Sequence, residues 1–321
     1  MHRVRKNGKR ILLFLLLLYF AALIVPYIPH KKVSEDFRKS FLDREFYGKQ
    51  TGGERVAYID DNEEALLYRL RMIEEAREEI ILSTFDFNDD HAGQDILAAL
   101  TDAAQRGVSV RVIVDGLSGF LDLRGSPWFQ AAAACENMEI RVYNPVNFLK
   151  PWKMQARLHD KYLIADRKMY LLRGRNTTNL FLGDYSDSKN TDRELFVYEA
   201  QTSPDSSLNQ LVDYFERIWE LNDSKPYVCR RVTEKVEEYE GRLREHKDWL
   251  EETYPQMLAV DCPQLNARIR QEADRDKTYS KVMENGSYSY GENYVSREMS
   301  LPKKIFYGIL RVVIIPFRRF L

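Results

Sequence analysis

The longest apolar run in the chain is Ile11 to Val25, unbroken and continued by Pro26-Tyr27-Ile28. Residues 1–10 before it carry Arg3, Arg5, Lys6, Lys9 and Arg10 with no acid. Its length, all-round hydrophobicity and aromatic flank fit a helix that spans a bilayer. A cleaved signal peptide is the rival reading, because a basic start and a leucine-rich core also describe one. Pro26 and bulky residues stand where a small-x-small cleavage site would fall, so the uncleaved anchor is preferred. A buried core helix fits poorly, since such helices in mixed-polarity domains keep a polar face. Residues 1–30 are therefore read as a basic start plus transmembrane anchor, and 31–53 as a linker. The positive-inside bias places residues 1–10 in the cytoplasm and the remainder across the cell membrane.

From about Glu54 the pattern changes to alternating strand and helix periods. Asn62 can cap a helix with apolar positions Ala65, Leu66, Leu70, Ile73 and Ala76. Residues 79–87 read as a buried strand, 93–105 as an amphipathic helix and 108–114 as a strand ending in a loop at Asp115-Gly116. A helix over 126–135 leads to a strand over 139–143. This alternation predicts an α/β fold, a mixed, mainly parallel sheet covered by helices. Asp86, Asp115 and Asn144 would then lie at carboxyl ends of strands, where sites gather in such sheets. A helix from about 203 to 221 closes the unit at 54–225. Residues 226–256 hold a densely charged helical stretch, read as a solvated helix or linker.

Between these elements lies RLHDKYLIADRKMYLLRGRN. His159 and Lys161, two apart on an expected strand, point to one face. Tyr162 to Ala165 is apolar, Asp166-Arg167-Lys168 makes a polar turn, and Met169 to Leu172 returns the chain. Arg173-Gly174-Arg175-Asn176 then closes the hairpin beside the histidine. An imidazole, a fixed cation and an amide at one end of a hairpin suit attack on a phosphodiester. Arg175 either contacts phosphate or caps the hairpin, with the second preferred. His91 and His246 lack evident partners and read as surface residues.

Composition narrows the picture modestly. The chain has 321 residues and a formal net charge of -1, which gives no polyanion-binding field and argues against a nucleic-acid partner. Cys135, Cys229 and Cys262 are scattered and suggest neither a zinc site nor a disulfide framework. No cluster has metal-ligand spacing, so no metal and no cofactor is expected. The end of the chain, 301–321, mixes bulky apolar residues with cations; an interfacial helix and a helix packed on the domain fit it equally.

His159-x-Lys161-x4-Asp166 followed by Arg173-Gly174-Arg175-Asn176 resembles the HKD motif of the phospholipase D superfamily, in its bacterial cardiolipin synthase-like branch. Arg173 stands where that branch has a glycine. The upstream residues Phe85-Asp86-Phe87, 103–108 and 112–115 resemble the family's opening strand–helix–strand, so the likeness covers about 54–222. The resemblance implies that His159 is the nucleophile, forming a phosphohistidine. It implies that Lys161 and Asn176 hold non-bridging oxygens, that Asp166 sets local geometry, and that Glu194 orients the histidine.

The family's site takes two HKD motifs, the second histidine serving as general acid. One is visible. His30-Lys31-Lys32 has its aspartate one residue early, and His246-Lys247-Asp248 lacks the spacing. Met257 to Asp261 resembles the strand that follows a second motif, so 257–321 reads as the remnant of a second half whose motif is absent. Three functions follow. One is a membrane-anchored phosphatidyltransferase acting on a phosphatidylglycerol-like phospholipid, its site completed in a homodimer. Another is a catalytically incomplete membrane protein, and the third a dimeric single-motif phosphodiesterase or nuclease.

Overall fold

The computed structural model describes residues 2–28, 33–42, 54–172, 174–199, 204 and 206–257. Several expectations lie outside the described residues: His30 to Lys32, Arg173, the strand after Met257, Cys262 and the 301–321 tail. The apolar run forms α1 (His2–Ile24), continued by a 3-10 turn over Val25–Tyr27. Over Asn7–Tyr27 its mean hydropathy is 2.2 and none of the apolar window is buried. A short helix α2 (Glu35–Leu42) follows, opened by Glu35 and Asp36.

The remaining elements are β1 (Glu54–Ile59), α3 (Asn62–Glu75), β2 (Glu79–Thr84), α4 (His91–Gln105), β3 (Ser109–Asp115), α5 (Gly116–Ser118), α6 (Pro127–Ala134) and β4 (Met138–Tyr143). They are followed by β5 (Tyr162–Ala165), β6 (Met169–Leu172), β7 (Glu194–Glu199), α7 (Ser207–Trp219), β8 (Ser224–Tyr227) and α8 (Glu234–Thr253). The strands make one mixed sheet in the order β1-β7-β6-β5-β2-β3-β4-β8.

The sheet is mixed, but the expected predominance of parallel pairing is corrected. Only β2–β3 and β3–β4 run parallel, joined through α4 and α6; the other five pairings are antiparallel. The reason is local. Lys168 N donates to Ala165 O at 3.0 Å, and Asp166 and Arg167 both have φ of 50°. Two positive-φ residues are what a type I′ hairpin turn requires. So short a connection returns a strand antiparallel, whereas a parallel crossover needs a dozen residues or more.

Strand alternation feeds two cores. Ile80, Leu82, Val110, Val112 and Val114 pack with α3, α4, α6 and α8 on one face. Ile81, Ile113, Tyr162 and Ile164 meet Leu208, Val212, Phe215 and Trp219 of α7 on the other. Both faces are covered, which explains the near-continuous apolar runs of the central strands.

Four further details differ from the sequence reading. The cap of α3 is Asp61, whose carboxylate accepts from Glu63 N and Glu64 N, while Asn62 is buried as the first helical residue. Residues 116–123, read as a loop, form α5 and a π-helical turn; a Cβ on Gly116 would lie 2.1 Å from Asn144 O. β1 and β8 are edge strands too short or too polar to announce themselves. The charged stretch is packed rather than solvated: α8 buries Val236, Leu243 and Leu250 in the core shared with α4 and α6.

Candidate active site

The strand ends first fix the chain that leads into β5. Asp115 is fully buried, caps α5 through Leu117 N at 2.8 Å, and accepts from Leu158 N at 2.7 Å and Arg157 at 3.2 Å. Asn144, at φ 44°, donates its amide to Lys153 O and Ala156 O, both at 2.7 Å. Arg157 returns a bond of 2.8 Å to Asn144 O. These strand-end residues therefore hold residues 153–158 rather than face a cleft, and hand the chain on to His159 in a defined position.

His159 and Lys161 do meet. Lys161 Nζ lies 3.1 Å from His159 Nδ1, 3.3 Å from Nε2 and 3.0 Å from the His159 carbonyl. An ammonium can only donate, so the ring nitrogen it bonds must carry a lone pair. Burial, then the Lys161 charge, lower the His159 pKa below its ordinary value, which also favours the neutral ring. Burial lowers the Lys161 pKa as well, with Asp160, Asp192 and Asp86 opposing. Phe85 supports both groups: its ring centroid is 4.9 Å from that of His159 and 5.5 Å from Lys161 Nζ.

A cleft of about 440 Å³ opens beside the pair, lined by His159, Asp160, Lys161, Tyr162, Leu172, Gly174, Asp192, Leu211 and Tyr214. Tyr214 donates to Asp160 Oδ2 at 2.6 Å across the cleft lining. Gly174 is required by close approach, since a Cβ there would sit 1.5 Å from Asp192 Oδ2.

Asn176 does not line the cleft. The Phe87–Thr177 bridge, with Thr177 N donating to Asp86 O at 3.0 Å, sets Asn176 alongside the end of β2. The Asn176 side-chain oxygen is buried without a partner, an amide still lacking a donor. Nearby Asp86 has its pKa raised to about 6, chiefly by burial and then by Asp122.

The other expected residues stand elsewhere. Asp166 sits at the far end of β5, where its carboxylate accepts from Arg77 N at 2.9 Å, Glu78 N at 2.8 Å and Glu79 N at 3.0 Å. Glu194 does not reach His159. Its two oxygens are taken by Arg69 at 2.7 and 2.5 Å, and both side chains are buried, because its strand position faces α3. Arg175 is 1% exposed and donates to the carbonyls of Asp60, Phe181 and Asp192; it joins loops. His246 is corrected too: Nε2 lies 2.7 Å from buried Asp95, which also accepts from Tyr185 OH at 2.8 Å. Among the described residues no group of His, Cys, Asp and Glu has the makings of a metal site.

Sequence reasoning missed Asp192, Leu211 and Tyr214 as cleft residues. Tyr214 had no signal, being one aromatic on an amphipathic helix, whereas Phe85 stood in a stretch already singled out.

Comparison with known proteins finds relatives for part of the chain. Residues 70–219 match the model for the cardiolipin synthase, PLD-like domain. Cardiolipin synthase B of Shigella flexneri is 30% identical over 142 residues, 44% of this chain and 34% of that protein. An uncharacterised protein of Helicobacter pylori is 25% identical over 235 residues, 69% of this chain and 43% of its own length. The chain thus spans less than half the length of these relatives. A solved phospholipase D family member, Nuc from Salmonella typhimurium, aligns with a TM-score of 0.40 at 19% identity, covering 55% of this chain and 97% of that one. Residues 70–219 are thus similar to the PLD-like domain of cardiolipin synthases.

Proposed function

We propose that the chain is a membrane-associated phosphatidyltransferase of the cardiolipin synthase kind, with His159 as the nucleophile and the site completed by a second copy of the chain. The observation that supports this most is the His159–Lys161 pair, a neutral imidazole against an ammonium at the mouth of an open cleft.

In this reading a non-bridging oxygen of the phosphodiester draws Lys161 off the imidazole and frees its lone pair. The ring nitrogen bonds to phosphorus, the bond from phosphorus to the leaving glycerol oxygen breaks, and that oxygen takes up a proton. The acceptor alcohol then attacks phosphorus, loses its proton, and the N–P bond breaks. Lys161 and the Asn176 amide offset the charge on the equatorial oxygens as it grows. The proton for the leaving oxygen needs a general acid facing His159, a role the partner's copy of the imidazole fills under twofold symmetry.

The test uses full-length protein in detergent with phosphatidylglycerol labelled in the phosphate. Wild type is expected to form cardiolipin and free glycerol and, on rapid acid-free quenching, a labelled histidine. His159→Ala is expected to lose all three. Turnover that survives His159→Ala overturns the mechanism, and cleavage of nucleic acid with no lipid turnover reassigns the substrate.

A further inference from the structure

We propose that the helical turns over 117–124 and the segment 147–154 form a rim that inserts into the bilayer surface beside α1, and that this seating sets the height of His159 at the headgroups. The inference goes beyond transfer chemistry, since it concerns how the domain lies on the membrane whatever it transfers.

The first observation is an exposed apolar patch where a water-facing loop has no use for one. Leu149 is 86% exposed, Leu121 65%, Phe148 57% and Trp152 48%. The patch is one surface, because the rings of Phe120 and Phe148 meet edge to face at 5.9 Å. Contiguous exposed apolar groups of this kind mark an interaction site.

The second observation says what covers it. The N-terminal apolar run touches this rim twice, once from α1 and once from the 3-10 turn that follows it. Tyr27 OH donates to Trp152 O at 2.6 Å, and Tyr19 OH lies 3.8 Å from Met154 Sδ. Those tyrosines are eight residues apart, about 12 Å along a helix axis. A loop that follows the last two turns of a bilayer span must itself lie at the boundary of headgroups and acyl chains. The rim is thus continuous with the most apolar surface among the described residues. Its chemistry suits that depth: tryptophan and phenylalanine at the interface, with Arg124 over the Phe120 ring at 5.5 Å and the exposed Lys150 for anionic headgroups. Two nearby acids are already engaged, Asp223 by Lys153 at 2.6 Å and Asp122 by Ser118 at 3.0 Å.

The third observation ties rim to site. Asn144 grips Lys153 O and Ala156 O, and Asp115 grips Leu158 N, so one set of bonds clamps the end of the rim and the residue before His159. A rim seated at a fixed depth carries the imidazole with it.

The experiment reconstitutes the full chain in phosphatidylcholine vesicles containing phosphatidylglycerol. It places a fluorophore on Leu149→Cys in a background with Cys135, Cys229 and Cys262 changed to serine. Lipids brominated near the glycerol end of their chains are expected to quench the probe strongly, while iodide in the water quenches it weakly. A matching probe on Glu139→Cys, on the exposed side of β4, is expected to show the reverse. Free iodide access at Leu149→Cys overturns the proposal. So does shielding from iodide without lipid quenching, which means that protein covers the rim. None of these readings depends on turnover, so an inactive protein with a quenched probe rejects the proposed chemistry and keeps the rim.

Discussion

At the scale of single residues, the pair His159–Lys161 makes a prediction about pH. His159 is held below its ordinary pKa of 6.5 by burial and by the neighbouring cation. Catalysis needs the neutral ring, so a lowered pKa keeps the nucleophile competent to lower pH than a free histidine. The acid limb of kcat/KM is expected below 6.5. The general acid in this reading is the second copy of the same imidazole, which must carry a proton, so the alkaline limb is set by that imidazole and falls well before Lys161, itself lowered from 10.5, loses its charge. Both limbs therefore move towards acid. Removing the cation in Lys161→Met takes away one of the two causes that lower the imidazole, so the His159 pKa is expected to rise, leaving only burial against it. A histidine titration followed by NMR, run beside the pH–rate profile, checks both. An acid limb at or above 6.5 contradicts the neutral-ring account.

At the scale of elements, α8 shows what hydrophobic pattern can and cannot say. Its buried Val236, Leu243 and Leu250 recur every seventh residue, one apolar side chain per two turns, amid charges that dominate the sequence. Lys247 hides the burial further: it is 5% exposed yet charged, between Glu74, Asp102 and Glu251. If α8 is a structural part of the core, Leu243→Ala costs on the order of 2–5 kcal/mol in a urea unfolding curve. A loss near zero would restore the picture of a solvated helix. The central strands and α3, α4, α6 and α7 were legible because their periods are strong and uninterrupted. β1 and β8 were not, since edge strands bury little. The antiparallel majority was not legible either, because strand direction depends on connections and register, which periodicity does not encode. The candidate site was legible in part: His159 and Lys161, from one short stretch, line the cleft, and Asn176 does not. The partners of Glu194 and His246 come from α3 and α4 and needed the fold.

At the scale of the whole molecule, a site that uses one histidine from each of two copies has a stoichiometric signature. When wild type and His159→Ala are unfolded together, mixed and refolded into one population of pairs, only pairs with two wild-type chains work. Activity is then expected to fall as the square of the wild-type fraction. A linear fall means that each chain acts with its own acid and needs no second copy. The proposed rim would give such a pair an orientation, because two chains held by parallel helices in one bilayer meet only in faces that stand upright on the membrane.

Asp166 gives the HKD pattern a different meaning at its third letter. Its carboxylate closes the junction between α3 and β2 by binding three consecutive amides, a whole strand away from the His159–Lys161 pair. A chain could abandon catalysis and still need that aspartate to fold. The pattern as written therefore mixes residues of the proposed chemistry, His159 and Lys161, with a residue of the architecture. Counting all three letters as one witness overstates what a motif match says about whether a protein works.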